Sequence, residues 1–328
     1  MNIVITGANG FIGEWLIKDL IRQEQQHHIT ALIRKGSRFK KCWEDARVSV
    51  KEVDYQQSVT EEMFRNQDVC IHLIGQMGAY GVSNRQYEDV NVMLTIMILN
   101  WCEHMGVKQF VFCSTPGVQG FGHRLAIETE SYAPRNNYER TKMIAEQKII
   151  QFCQKANMKY TIIRPDFVYG PNDARRVKMY KNIKNRKFVL TTNGKSYLHP
   201  TYILDVTQGF RRVIGNPNAY NEIFNISAEA DVTSLQYLQA IADCVQRKLI
   251  HINIGYRISI CLAKLVECIY TVWLKKEAFV SKDKIDFLSL DHSTSNKKAM
   301  ERIGYKPEFD IKQGMQQTIE WCVTEKLI

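Results

Sequence analysis

Eight residues near the start of the chain, Thr6-Gly7-Ala8-Asn9-Gly10-Phe11-Ile12-Gly13, constrain its fold more than any others. They follow the apolar run Asn2–Ile5 and precede Phe11–Arg22, where apolar residues recur at helical spacing. A strand feeding a glycine turn that opens a helix is the layout of a dinucleotide-binding βαβ unit. Gly7 permits the tight turn, Gly10 lets backbone approach a pyrophosphate, and Gly13 lets helix and strand pack closely. Free N–H groups at the helix N-terminus and the helix dipole favour the phosphates. The spacing is GxxGxxG, one residue longer than GxGxxG. Gly7, Asn9, Gly10, Phe11, Ile12 and Gly13 are the candidate cofactor contacts of this loop.

The rest of the first half keeps the same alternation. Strand patterns at Ile29–Ile33, Val48–Val53, Val69–Leu73, Gln109–Cys113 and Tyr160–Ile163 are interleaved with helical patterns at Val90–Met105 and about Asn137–Lys155. Strands joined by helices mean crossover connections and a parallel sheet covered on both faces. The expected fold is therefore α/β, a doubly wound parallel (Rossmann) sheet with a smaller interleaved C-terminal substrate lobe. Residues 1–164 form its nucleotide-binding part, elements near 199–227 return to it, and 165–328 mostly make the lobe. Ligands of such a sheet sit beyond the carboxyl ends of the strands.

The 328 residues carry a formal charge of +10, which fits an anionic ligand or simply a basic surface. No nucleic-acid motif accompanies the charge, so no nucleic-acid partner is expected. Nine cysteines (Cys42, Cys70, Cys102, Cys113, Cys153, Cys244, Cys261, Cys268 and Cys322) show neither CxxC pairs nor metal spacing. They read as reduced thiols in a cytoplasmic protein without a metal site. A strand starting almost at Met1 leaves no room for a signal peptide. Ile254–Leu274 is as long as a membrane span, but Arg257, Lys264 and Glu267 interrupt it. It reads as an amphipathic helix packed on the substrate side rather than an integral span, with membrane-surface contact the alternative.

The end of the second strand selects the dinucleotide. A carboxylate there would bond the 2′-hydroxyl of NAD, whereas arginine accommodates the 2′-phosphate of NADP. The chain reads Arg34-Lys35-Gly36-Ser37-Arg38, without an acid, which favours NADP(H) and leaves NAD(H) the alternative. Farther on, Tyr138 and Lys142 stand four apart, on one face of a helix. An ammonium beside a phenol favours phenolate and makes tyrosine a usable acid/base. Tyr180 and Lys184 share the spacing, but only Tyr138 follows a strand of the glycine-loop half, Gln109–Cys113 with its polar tip Ser114-Thr115.

With these residues the chain resembles the extended short-chain dehydrogenase/reductase superfamily, in its NAD(P)-dependent epimerase/dehydratase group. The resemblance spans nearly the whole chain. The loop 6–13, Val53-Asp54, the run from His72-Leu73 to Gly75, Val90-Asn91-Val92, the segment 112–120, Arg164-Pro165-Asp166-Phe167-Val168-Tyr169-Gly170-Pro171, the block 199–206 and Phe224-Asn225-Ile226-Ser227 follow in that group's order. The resemblance implies hydride transfer with Thr115, Tyr138 and Lys142 as catalytic residues. Tyr138 would exchange the proton of the substrate oxygen, Thr115 would hydrogen-bond that oxygen, and Lys142 would lower the Tyr138 pKa and hold the cofactor ribose. It further implies cofactor contacts from Asp54, Leu73 and Arg164 besides Arg34. Ser114, Asp166, Arg175 and Arg176 become candidate substrate contacts, and a homodimer is expected.

Dehydratases of the group carry an Asp-Glu pair just after the catalytic Thr. Pro116 and Gly117 stand there in this chain, which argues against a 4,6-dehydratase. Because Arg34 leans toward NADP(H), a cosubstrate that comes and goes, the leading expectation is an NADPH-linked reductase or dehydrogenase of a keto or hydroxyl group on a nucleotide-linked sugar. The alternatives are an epimerase with bound NAD and a reductase of a hydrophobic, sterol- or flavonol-like ketone. A non-catalytic NADP sensor would usually have lost Tyr138 or Lys142.

Overall fold

Ile3, Val4 and Ile5 are fully buried, and their alternation sends side chains to both faces of strand β1 (Asn2–Thr6). Ile3 and Ile5 join one apolar layer with Leu16, Ile17 and Phe210, while Val4 joins the other with Ile98, Phe112 and Ile149. A sheet apolar on both faces needs helices on both. In the computed structural model, which describes residues 1–23, 27–37, 43–55, 61–78, 81–273, 275–276, 278 and 280–328, it has them. Arg38 and Cys42 lie outside the described residues.

The other strands of the central sheet are β2 (His28–Arg34), β3 (Val48–Val53), β4 (Val69–His72), β5 (Gln109–Cys113), β6 (Lys159–Pro165) and β7 (Glu222–Ile226). Their order is β7-β6-β5-β4-β1-β2-β3, with every pairing parallel. This is the expected doubly wound sheet. The order reverses between β1 and β4, and the crevice at such a reversal is where these sheets bind ligands.

The helices used below are α1 (Phe11–Arg22), α2 (Leu94–His104), α3 (Asn137–Ala156), α4 (Ala174–Lys184), α5 (Ile203–Val213), α6 (Tyr256–Cys268) and α7 (Lys282–Ser289). The sequence pattern Val90–Met105 is not one α-helix: Asp89–Met93 forms a wider π turn before α2. The helix expected within Ile254–Leu274 is present, with Leu274 outside the described residues, but its large apolar side chains turn away from the body. This helix, α6, faces the body with Ser259 and Ala263, while Ile258, Leu262 and Leu265 are at least half exposed. No helix among the described residues is long and apolar enough to cross a membrane.

Candidate active site

The glycine loop is shaped by contacts that only glycine tolerates. Gly7 sits at φ +70°, and a Cβ on Gly13 would lie 2.6 Å from the Ala8 carbonyl oxygen. Gly10 caps α1 and donates its N–H to the Gly7 carbonyl at 2.9 Å. Asn9 leaves its buried Oδ1 without a protein partner. A close backbone cradle, a helix N-terminus and an unsatisfied buried amide oxygen fit a dinucleotide diphosphate.

A buried chain of hydrogen bonds braces this loop from below. Thr6 Oγ1 lies 2.7 Å from His72 Nδ1, and His72 Nε2 lies 3.0 Å from Thr95 Oγ1, which donates to the Asn91 carbonyl at 2.9 Å. That direction makes Nε2 the protonated nitrogen and Nδ1 the acceptor of the Thr6 hydroxyl. Burial, helped by the charge of Lys142, lowers the His72 pKa to about 3, so the ring is neutral. Asn91, on the π turn, accepts from Gln76 N at 2.7 Å and donates to Thr141 Oγ1 at 2.9 Å. It thereby ties the loop after β4 to α3, beside Lys142.

The crevice opens into a cleft of about 500 Å³ whose lining includes Gly7, Gly10, Phe11, Ile12, Gly13, Leu73, Ser114, Thr115, Tyr138 and Lys142. Asn136 starts α3 by accepting from Glu139 N at 2.9 Å, which places Tyr138 in the first turn and Lys142 in the second. Lys142 is buried, and its Nζ donates to the Cys113 carbonyl at 2.8 Å and the Ile74 carbonyl at 3.5 Å, 4.4 Å from the Phe112 ring centre. Burial lowers its pKa to about 8. Burial raises the Tyr138 phenol above its ordinary value, and the cation opposing that rise is Arg175. The Lys142 ammonium is anchored on backbone carbonyls across the strand ends, one helical turn from Tyr138.

Thr115 caps the short turn Pro116–Gln119, its Oγ1 accepting from Gly117 N at 3.2 Å. That bond leaves the hydroxyl proton free to be donated to a substrate oxygen. Ser114 beside it is buried, with an Oγ that has no protein partner.

Some of the expected contacts line the cleft and others do not. Arg164 does not line the cleft: its guanidinium forms a fully buried, two-pronged pair with Glu146 at 2.9 and 2.6 Å, and Tyr132 donates to the same carboxylate. Arg34 stands exposed at the end of β2, and Asp54 lies half-buried beyond β3, neither of them in the cleft lining. Arg175 and Arg176 do reach the cleft, but both guanidinium groups pair with the buried Asp173, at 2.6 and 3.3 Å. Asp166 lies in the cleft wall, accepts from Thr294 Oγ1 at 2.8 Å, and is raised by burial to a pKa of about 7.

Other cleft residues carried no sequence signal. Phe121 stacks on His292 with centres 4.3 Å apart, and Phe287 packs against both His292 and Phe167. His292 donates from Nδ1 to the Leu290 carbonyl at 2.9 Å, which leaves the Nε2 lone pair as a buried acceptor. Glu139 fills the space a side chain at Gly117 would need, and Arg135 holds its carboxylate through its backbone N–H and guanidinium. These residues converge from a turn, two helices and a late strand, so no local spacing announces them. Among the described residues no cluster could hold a metal ion.

A model of the NAD dependent epimerase/dehydratase family matches residues 3–227. The chain is 23% identical to N-acetyl-alpha-D-glucosaminyl-diphospho-ditrans,octacis-undecaprenol 4-epimerase of Escherichia coli O157:H7, over 98% of this chain and 95% of that protein. It is also 23% identical to a decarboxylating sterol-4-alpha-carboxylate 3-dehydrogenase of Dictyostelium discoideum, over 96% and 99%. In fold it resembles UDP-glucuronic acid 4-epimerase of Bacillus cereus, solved with UDP-glucuronic acid and NAD, with a TM-score of 0.79, 18% identity and coverage of 99% and 100%.

Proposed function

The chain belongs to the NAD dependent epimerase/dehydratase family, the NAD(P)-dependent oxidoreductases and epimerases, and within it we propose an epimerase that inverts a hydroxyl-bearing carbon of a diphosphate-linked sugar. This replaces NADPH-linked reduction, the leading expectation from sequence, by its alternative. Relatives named as epimerases of diphospho-linked sugars align over nearly the whole chain, and one neighbour of the same fold was solved with NAD. The observation that carries the reading is the cleft itself, where Thr115, Ser114, Tyr138 and Lys142 stand at the strand ends beside the glycine loop.

NAD held by the glycine loop would supply reversible hydride chemistry at the substrate carbon. The chain supplies the rest. Tyr138, held as the phenol by burial and drawn toward phenolate by Arg175, would give its proton as the carbonyl is reduced and, as phenolate, take the hydroxyl proton as the carbonyl forms. The Thr115 hydroxyl donates to the same oxygen as its charge changes, with Ser114 Oγ within the same wall. Arg175, half-exposed in the cleft, opposes the rise of the Tyr138 pKa and is a cleft cation available to a substrate phosphate. Gly10 and the start of α1 would hold the cofactor diphosphate, and Lys142, buried in the cleft with its Nζ on the Cys113 carbonyl, would hold the nicotinamide ribose.

Two measurements test this. Acid denaturation of the purified protein should release NAD in near-stoichiometric amount, and Tyr138→Phe should keep that NAD while losing about a hundredfold or more in turnover. Release of NADP, or a protein that titrates NADPH far more tightly than NADH, would restore the reductase reading. Arg34 favours that second reading. If it reads a 2′-phosphate, Arg34→Asp will weaken NADPH binding and spare NADH.

A further inference from the structure

Helix α6 is built inside out. Against the protein it places Ser259 and Ala263, which are 3% and 1% exposed. Ser259 hydrogen-bonds the Thr191 carbonyl at 3.1 Å, and Tyr256 reaches Asp286 of α7 at 2.9 Å. Outward it turns Ile258, Leu262 and Leu265, continued by Ile269, Val272 and Trp273 on the following π turn. Trp273 is 80% exposed and Leu265 60%. The spacing of four, three, four and three residues is one continuous helical stripe. A helix that only covered a core would face the other way, because large apolar side chains gain most from leaving water.

Charge indicates what covers the stripe. From Ile254 to Lys284 the chain holds six basic residues (Arg257, Lys264, Lys275, Lys276, Lys282 and Lys284) against three acidic ones, Glu267, Glu277 and Asp283. Arg257, Lys264, Lys275 and Lys276 are exposed beside the stripe, whereas Glu267 is half-buried and accepts from Lys282 N. An apolar stripe edged by cations, with Tyr256 at one end and Trp273 at the other, has the make-up of a helix lying in a lipid interface. A second copy of this chain would bring the same cations against these.

We infer that the outward face of α6 and the turn Ile269–Trp273 docks on the surface of an anionic phospholipid bilayer, without spanning it. The docked element is joined to the cleft through α7. Helix α7 packs on α6 and contributes Asp283 and Phe287 to the cleft wall, so the site is held close to the lipid headgroups.

Co-sedimentation of the full chain with vesicles tests this without any turnover, so its failure would leave the epimerase reading standing. With phosphatidylcholine vesicles containing about a quarter phosphatidylglycerol, the protein should sediment, and less so in pure phosphatidylcholine or high salt. Leu262→Glu/Leu265→Glu should weaken binding about tenfold or more. Both positions are exposed, so the thermal midpoint should hold. Met93→Glu, equally exposed but elsewhere, should bind like the parent. Protein left in the supernatant, or equal sedimentation of the double variant, overturns the inference. So does a dimer that the double variant splits while vesicles bind neither form.

Discussion

Asp166 shows how a single side chain in this cleft trades stability for position. Burial outweighs its bonds from Thr294 and raises its pKa from 3.8 to about 7. Between those values the folded chain holds a proton that the unfolded chain has released, so this carboxyl's contribution to stability is fullest below about pH 4 and is lost as pH rises through 7. Asp166→Asn keeps an acceptor for Thr294 and removes the titration. Thermal unfolding should then find the variant more stable than the parent at pH 8, by an amount on the order of a few kcal/mol, and nearly equal to it at pH 4. A constant difference across that range would show that the carboxyl does not titrate there. Lys142 behaves in the opposite sense. Burial lowers its pKa to about 8, so its charge is present at neutral pH and lost as pH rises past 8.

At the scale of elements, α3 is fixed at both ends of its function. Its start is held by the Asn136 cap, and its middle by the Glu146–Arg164 pair that joins it to β6. Breaking a buried pair by removing one partner leaves an uncompensated charge, so Arg164→Met should cost about 3–5 kcal/mol in chemical denaturation. Arg164→Met/Glu146→Leu should recover most of that and bind the cofactor like the parent. If the double variant folds well but loses cofactor, Arg164 has the contact that the family resemblance implies. The π turn Asp89–Met93 is the other element that matters, because Asn91 bridges Gln76 and Thr141 from it.

For the whole molecule, the sheet was legible because period-two and period-3.6 patterns are local: Gln109–Cys113 and Phe11–Arg22 agree with the structure to the residue. The glycine loop was legible for the same reason. What sequence could not carry was partnership across distance. Arg164 matches its motif, yet its charge is spent on Glu146, eighteen residues away, and Arg175 acts on Tyr138 from far along the chain. The aromatic wall of Phe121, Phe167, Phe287 and His292 is gathered from four separate segments, and the inverted face of α6 depends on which side meets the body. The central claim, that one resident cofactor takes and returns the same hydride, has a direct test. A nucleoside-diphosphate hexose deuterated at the reacting carbon is incubated with the purified protein and excess unlabelled NADH and NADPH. The account predicts that mass spectrometry finds the epimer at that carbon with deuterium still on it and none in the free cofactor. Deuterium in the free cofactor pool, or a reduced product formed at the expense of NADPH, would contradict it.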